Sequence, residues 1–337
     1  MEPIHSLTDL RRLFSQWPAA DESARAAAQA REPQLTKPAG SLGKLETLSE
    51  WLCTWQGAHP PRLERLVARI YAGNHGVVAQ GVSAFPAEVT IQMVGNFQNG
   101  GAAINQLCRL FGVELQVVAL DLDRPTADFT QAAALSEAEF LSAFQSGVDS
   151  VPEGSDLLII GEMGIGNTTA AAAIAHALFG GTAAEWVGRG TGVESEGLAR
   201  KVDAVARAVA LNAPAGTDPL EILRRLGGRE LVAMAGAVTV ARLRRVPVLL
   251  DGYVTCAAVA PLAVALPGAL DHCQVAHVSA EPGHRRLLAK LDKEPLLDLG
   301  MRLGEGSGAA VAVGLVKAAV ACHTGMATFA EAAVSNK

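Results

Sequence analysis

The chain has 337 residues, half of them apolar, with 34 glycines, few aromatics and a formal charge of −6 at pH 7. That length holds one large domain or two modest ones, and the acidic balance argues against a nucleic-acid binder, which carries a basic patch or stripe. Five scattered cysteines (Cys53, Cys108, Cys256, Cys273 and Cys322), odd in number and without any C-x-x-C, fit reduced thiols in a cytoplasmic protein better than a disulfide framework. The N-terminus has acids and bases within its first 12 residues and no apolar h-region, so no signal peptide is expected.

The first sixty residues read as helical and connective. Asp21–Arg31 is an alanine-rich helix stopped by Pro33, Lys37–Lys44 is a loop, and Leu45–Trp55 is a second helix. From there a pattern repeats, in which a mostly apolar run ends in small and polar residues and a helical segment often follows. The runs are Ala68–Ala72 into Gly73-Asn-His-Gly76, Leu115–Leu120 into Asp121-Leu-Asp123, and Leu157–Ile160 into the glycine-rich stretch Gly161–Thr169. Val246–Leu250 into Asp251-Gly-Tyr253 and Val275–Val278 into Ser279–His284 complete the set. Ser136 and Glu139 form a capping box, with Leu135 and Phe140 placed as a hydrophobic staple. Asp218-Pro219 caps a helix over Leu220–Leu226 that Gly227-Gly228 ends. Gly252–Leu270 is uncharged, but Pro261 and Pro267 interrupt it and Asp251 and Asp271 flank it, so it reads as strand end plus buried helix and not as a membrane span. Continuous apolar strands alternating with helices predict an α/β fold, a parallel sheet covered on both faces. Ligands of such sheets bind at the carboxyl ends of the strands, where the polar residues lie here.

Three segments carry candidate chemistry. Gly161–Thr169 reads as strand, glycine turn and helix N-terminus, a backbone built to hold an anion. Its Gly161-x-x-x-x-Gly166 spacing resembles a P-loop, but Asn167 stands where the lysine would be, and Thr169 occupies the third glycine place of a dinucleotide fingerprint. A single phosphate or another small anion remains, or a ligand-free turn. Gly188-Arg-Gly-Thr-Gly192 is a second glycine loop, and Lys201 after it is either the missing positive charge or, as is commoner for a lone lysine, a solvated surface residue. Gly304-Glu-Gly-Ser-Gly308 sets Glu305 between glycines before an apolar helix over Ala309–Ala321. Desolvation there would disfavour the charged carboxylate and suit it to accept a proton near neutral pH; a plain helix N-terminal charge partner is the alternative. His272, His277 and His284 invite a metal-dependent hydrolase, but their spacing matches no known ligand set, so core histidines and no metal are expected. No G-x-S-x-G supports a serine hydrolase.

Together these segments resemble one family, the nicotinate-nucleotide:dimethylbenzimidazole phosphoribosyltransferases of cobalamin lower-ligand assembly. The matching residues are Lys37-Pro-Ala-Gly-Ser-Leu-Gly-Lys-Leu-Glu46, Ala72-Gly-Asn-His-Gly-Val77, Gly81-Val-Ser-Ala-Phe-Pro86 with Val89, Thr90, Gln92 and Met93, and Gly100-Gly-Ala-Ala-Ile-Asn105. Both glycine loops, Leu250-Asp-Gly-Tyr253 and Leu297–Gly308 extend the match over nearly the full length. Asn74 departs from the aspartate common at its place in the family, and no catalytic role is assigned to it. The resemblance implies a Rossmann-like parallel sheet flanked by helices over residues 60–300, and a small helical domain from both chain ends (1–59 and 301–337), in a cytoplasmic homodimer. It implies transfer of the 5-phosphoribosyl group of nicotinate mononucleotide to 5,6-dimethylbenzimidazole, with inversion at C1′, no cofactor and Glu305 as general base. Gly164, Gly166, Asn167, Thr168, Thr169, Gly188, Gly190, Gly192, Lys201 and Ser279 are expected at the phosphate and ribose. Ser83, Phe85, Gln92, Met93 and Glu162 are expected at the base. Adenine or phenolic acceptors, and a phosphate- or nucleotide-binding module without chemistry, stay open as alternatives.

Overall fold

The computed structural model describes residues 4–190 and 192–335, so Thr191 of the second glycine loop lies outside the described residues. Three helices, α1 (Leu7–Phe14), α2 (Glu22–Arg31) and α3 (Lys44–Gln56), lead into strand β1 (Leu66–Ala72). Helices α4 (Glu88–Gln98) and α5 (Ala103–Phe111) precede β2 (Glu114–Ala119), and α6 (Glu137–Ser150) precedes β3 (Leu157–Met163). Then come α7 (Asn167–Phe179), α8 (Ala183–Trp186), α9 (Ser195–Asn212), α10 (Pro219–Leu226) and α11 (Arg229–Leu243). The chain closes with β4 (Val248–Leu250), α12 (Tyr253–Ala265), β5 (Cys273–His277), α13 (Pro282–Lys290), β6 (Pro295–Leu297) and α14 (Ser307–Gly325).

The six strands form one sheet in the order β2-β1-β3-β4-β5-β6, and each adjacent pair is parallel. The five apolar runs are all strands. The sixth, β6, was not expected, because three half-buried residues starting with proline make no apolar run. Its position explains this: an edge strand tolerates proline at its first residue and needs only one buried side. Alternation along the inner strands splits the core in two. Val67, Tyr71, Leu158, Ile160, Leu250 and Val275 face a layer built mainly from α6, α7, α11 and α12. Ala68, Ile70, Leu157, Ile159, Leu249 and Ala276 face α3, α5 and α14.

Small residues let these layers close up. A Cβ on Gly147 of α6 would overlap the backbone of Ala233, and one on Gly236 of α11 would overlap that of Phe144. The expected caps are present: Ser136 Oγ accepts from Glu139 N at 3.3 Å, and Asp218 Oδ1 accepts from Leu220 N at 2.9 Å. The uncharged stretch after Asp251 is the buried helix α12, with Pro261 inside it. Among the described residues only α14 is long and apolar enough to cross a membrane by length and composition, and it packs on α3, α5 and β5. The chain ends meet where Thr36 N donates to Ala327 O at 3.1 Å and Phe329 N donates to Gln34 O at 2.9 Å. The connections leaving β1 and β3 run to opposite sides of the sheet, so a crevice opens at their carboxyl ends, the usual place for a ligand.

Candidate active site

A cleft lies beside that crevice, over the carboxyl ends of β3, β4 and β5. Its walls are the turn Glu162–Thr168 after β3, Asp251–Val254 after β4, His277, Ser279 and Glu281 around the end of β5, and Arg302–Gly304 before α14. Ser83, Gly190 and Lys201 close the far side.

The turn after β3 is held from below. Gly166 sits at φ +94°, in the left-handed region open to glycine, and hands the chain into α7. Asn167 N donates to Gly164 O at 3.1 Å, and Ile165 N donates to Thr90 Oγ1 of α4 at 3.1 Å. A buried pair, His75 Nε2 and Glu230 Oε1 at 2.5 Å, backs the turn, and a Cβ on Gly164 would press on Glu230. The N-terminus of α7 therefore meets the cleft with a fixed backbone and its partial positive charge.

Lys201 is not a solvated surface lysine. It is 1% exposed, and its Nζ donates to Thr168 Oγ1 at 2.6 Å and to Gly188 O at 3.2 Å, tying the two glycine loops together. Burial lowers its amine to about 8, against the opposing pull of Glu281. Sequence proximity could not show this, because the turn of α9 toward α7 decides where the long side chain runs. Arg302, which the sequence reading missed, adds a second cation and donates from Nη1 to Gly190 O at 2.8 Å.

The opposite end of the cleft holds carboxylates. Gly304, Glu305 and Gly306 occupy the left-handed region in succession, at φ +82°, +62° and +76°. For Glu305 that conformation costs on the order of 1–3 kcal/mol, strain of the kind that collects at functional sites. The glycines are needed for contact: a Cβ on Gly161 would overlap the Gly306 backbone, and one on Gly304 would overlap Glu162. Glu305 N donates to Glu162 O at 3.2 Å, which pins the loop to β3. Glu305 is 5% exposed, and among the described residues no donor reaches its Oε2. Burial, reinforced by the charge of Asp251, raises its carboxyl to about 7. Glu162 is raised to about 8, by burial first and then by Asp251 and Glu230.

Asp251 is the charged centre of this end. Its Oδ1 accepts from Ala309 N in the first turn of α14 at 2.8 Å and lies 3.5 Å from His277 Nε2. Burial alone would lower the His277 imidazole, but the hydrogen bond and charge of Asp251 outweigh it and raise it. Asp251 was legible as the polar residue at the end of an apolar run and as part of the family-like segment Leu250–Tyr253; its link to α14 was not.

Of the expected residues, Ser83, Glu162, Gly164, Gly166, Asn167, Thr168, Gly190, Lys201 and Ser279 line the cleft, and Glu305 follows cleft-lining Gly304. Gly188 gives its carbonyl to Lys201, Thr169 is wholly buried in α7, and Gly192 lines a neighbouring surface hollow. Phe85 is 45% exposed, Gln92 is exposed, and Met93 packs against the core beneath α4, so these three stand outside the cleft wall of the single chain. Asn74 donates from Nδ2 to Leu122 O at 2.9 Å and shapes the loop after β2. The three histidines of the metal reading each have a separate protein contact: His272 with Val238 O, His277 with Asp251, and His284 with the Ser279 amide and Cys256.

The chain matches the family described as "Phosphoribosyltransferase" over residues 17–334. It is 59% identical over 331 residues to the nicotinate-nucleotide-dimethylbenzimidazole phosphoribosyltransferase of Methylocella silvestris, covering 98% of this chain and 97% of that one. The chain belongs to this phosphoribosyltransferase family. The enzyme of the same name from Ruegeria pomeroyi is 59% identical over 336 residues, 99% of each chain. A crystal structure of the Thermus thermophilus enzyme of that name superposes with a TM-score of 0.86 at 41% identity, over 94% of this chain and 100% of that one. Membership covers both ends of the cleft, since the match spans the turn after β3 and the loop before α14.

Proposed function

We propose that this phosphoribosyltransferase moves the 5-phosphoribosyl group of nicotinate mononucleotide onto a ring nitrogen of 5,6-dimethylbenzimidazole, releasing nicotinate and forming α-ribazole 5′-phosphate. The observation that carries this reading is Glu305, a buried carboxylate with its proton affinity raised to about 7, next to Gly304 in the wall of a cleft that also holds an anion-binding turn. The azole N–H gives its proton to Glu305 as the ring's other nitrogen, which carries the in-plane lone pair, bonds to C1′, and the C1′–nicotinate bond breaks with its electron pair returning to the pyridinium ring. The leaving group is already cationic, so no general acid is required. Attack opposite the departing ring inverts C1′ and gives the α-glycoside. The turn Gly164–Thr168, with Lys201 and Thr168 Oγ1, is suited to a monophosphate, and Glu162 and Ser83 stand where they can meet the base. Incubation with nicotinate mononucleotide and an equimolar mixture of 5,6-dimethylbenzimidazole, adenine and a phenol, with products resolved by NMR, tests the reading. A β-linked product, or none, overturns it, and an adenine or phenolic product moves it to a related acceptor.

Lys201→Ala is expected to weaken nicotinate mononucleotide binding by roughly ten- to a hundredfold, since charge-assisted contacts contribute about 1.5–3 kcal/mol. The KM of the base should stay nearly unchanged. Steady-state kinetics with each substrate varied checks this, and equal weakening of both would make Lys201 a structural residue only.

A homodimer belongs to the same reading. Ile91 of α4 and Leu110 of α5 are exposed, as is part of the apolar helix α14, which supports a self-complementary apolar contact on that side. Light scattering at micromolar concentration should give twice the chain mass of 34.9 kDa; a monomer there counts against it. The five cysteines are free, which supports a cytoplasmic setting.

A further inference from the structure

Away from the cleft, three metal-binding side chains from separate parts of the chain converge. Cys53 lies in the last turn of α3, His59 in the loop from α3 to β1, and His323 in the last turn of α14. One donor atom from each lies within 4.8 Å of the other two. The Nε2 atoms of His59 and His323 are 3.1 Å apart, and their rings stand 84° to one another, so the nitrogens point together without stacking. Two imidazoles on a tetrahedral zinc ion, at about 2.0–2.1 Å each, hold their nitrogens about 3.3 Å apart. His323 is oriented from behind: its Nδ1 bonds Glu32 Oε2 at 2.6 Å, and Lys37 fixes the other Glu32 oxygen at 3.0 Å. That contact sets the tautomer that leaves the Nε2 lone pair free, the carboxylate–histidine arrangement common behind metal ligands. Arg31 Nε donates to His323 O at 2.7 Å and holds the turn that carries the ring.

We propose that Cys53, His59 and His323 bind a divalent transition-metal ion of the zinc type. A thiolate with two imidazoles suits such an ion and is foreign to magnesium or calcium. His323 also lines a surface hollow with Glu32, Lys37 and Glu46, on the Nδ1 side of its ring. The ion would join the end of α14 to α3 and close a loop from residue 59 to residue 323. A cross-link of this kind turns binding free energy into stability. The role is structural and separate from phosphoribosyl transfer.

Without a metal, the same two imidazoles would simply share a hydrogen bond and Cys53 would be a bystander. Titration of the chelator-treated full-length protein with Co²⁺ separates the two. The expected result is about one ion per chain with a thiolate-to-cobalt charge-transfer band, displaced by Zn²⁺, and a melting temperature raised by Zn²⁺. Cys53→Ala, a small apolar replacement at a buried position, should abolish the charge-transfer band and the Zn²⁺-dependent rise. Glu32→Gln should weaken binding by about 10–100-fold while keeping the band. Wild-type protein with no stoichiometric Co²⁺ uptake overturns the proposal, whatever the variants do, and so does a Cys53→Ala protein that binds as tightly as wild type.

Discussion

Glu305→Gln is expected to lower turnover by about a hundred- to ten-thousandfold, the usual contribution of a positioned general base, while nicotinate mononucleotide binding should stay nearly intact. Glutamine keeps the size of the side chain and its place in the loop but cannot take the azole proton. Because burial and Asp251 raise the carboxyl to about 7, the wild-type rate should climb with pH and level off above about 7. The variant should lose that limb. An acceptor supplied already deprotonated should recover much of the loss. Stability moves the other way. A carboxyl whose folded pKa lies above its unfolded value favours the folded state only while protonated. Its contribution therefore falls as pH rises from about 4.5 to about 7 and stays low above that. Glu305→Gln removes this liability, so above neutral pH the variant should melt no lower than wild type. A slow enzyme that is fully stable separates lost proton transfer from lost structure. Near-normal rates with the neutral azole across the pH range would show that Glu305 is not the proton acceptor.

Gly161→Ala is expected to damage stability and turnover together. The added methyl would overlap the backbone of Glu305 and Gly306, and backbone cannot turn aside as a side chain can. The loop must lift from β3, breaking the contact from Glu305 N to Glu162 O. Overpacking of this kind costs about 1–3 kcal/mol, and a carboxylate displaced by about 1 Å loses about a hundredfold in rate. Gly95→Ala in α4 is the matched control: a Cβ there meets nothing within 4 Å, so that variant should be as stable as wild type or slightly more so. Thermal melts and kcat for both variants check this, and a Gly161→Ala enzyme with wild-type kcat would mean that the close approach does not position Glu305.

The buried setting of Glu305 was legible because a carboxylate between glycines ahead of an apolar helix is a local pattern. The turn after β3 was legible for the same reason: strand, glycine turn and helix N-terminus are contiguous and set by backbone rules. The base side was less so. Phe85, Gln92 and Met93 were placed by resemblance, and the single chain sets them outside the cleft wall, with Thr90 meeting the turn instead.

The sequence by itself determined the five principal strands, the caps at Ser136 and Asp218 and the glycine loops after β3 and before α14, each set by local pattern, and the alternation of apolar strands with helices implied the parallel sheet. Only the tertiary structure decided what depends on long-range approach. Lys201 is buried because α9 turns it toward α7, and Asp251 becomes a charged centre because α14 presents the Ala309 amide to it from 58 residues away. The proton affinities of Glu162 and Glu305 likewise follow from the collected burial and charge of elements far apart in the chain. Burial and electrostatic coupling are properties of distances between atoms, and those distances exist only once the sheet has brought its strand ends together.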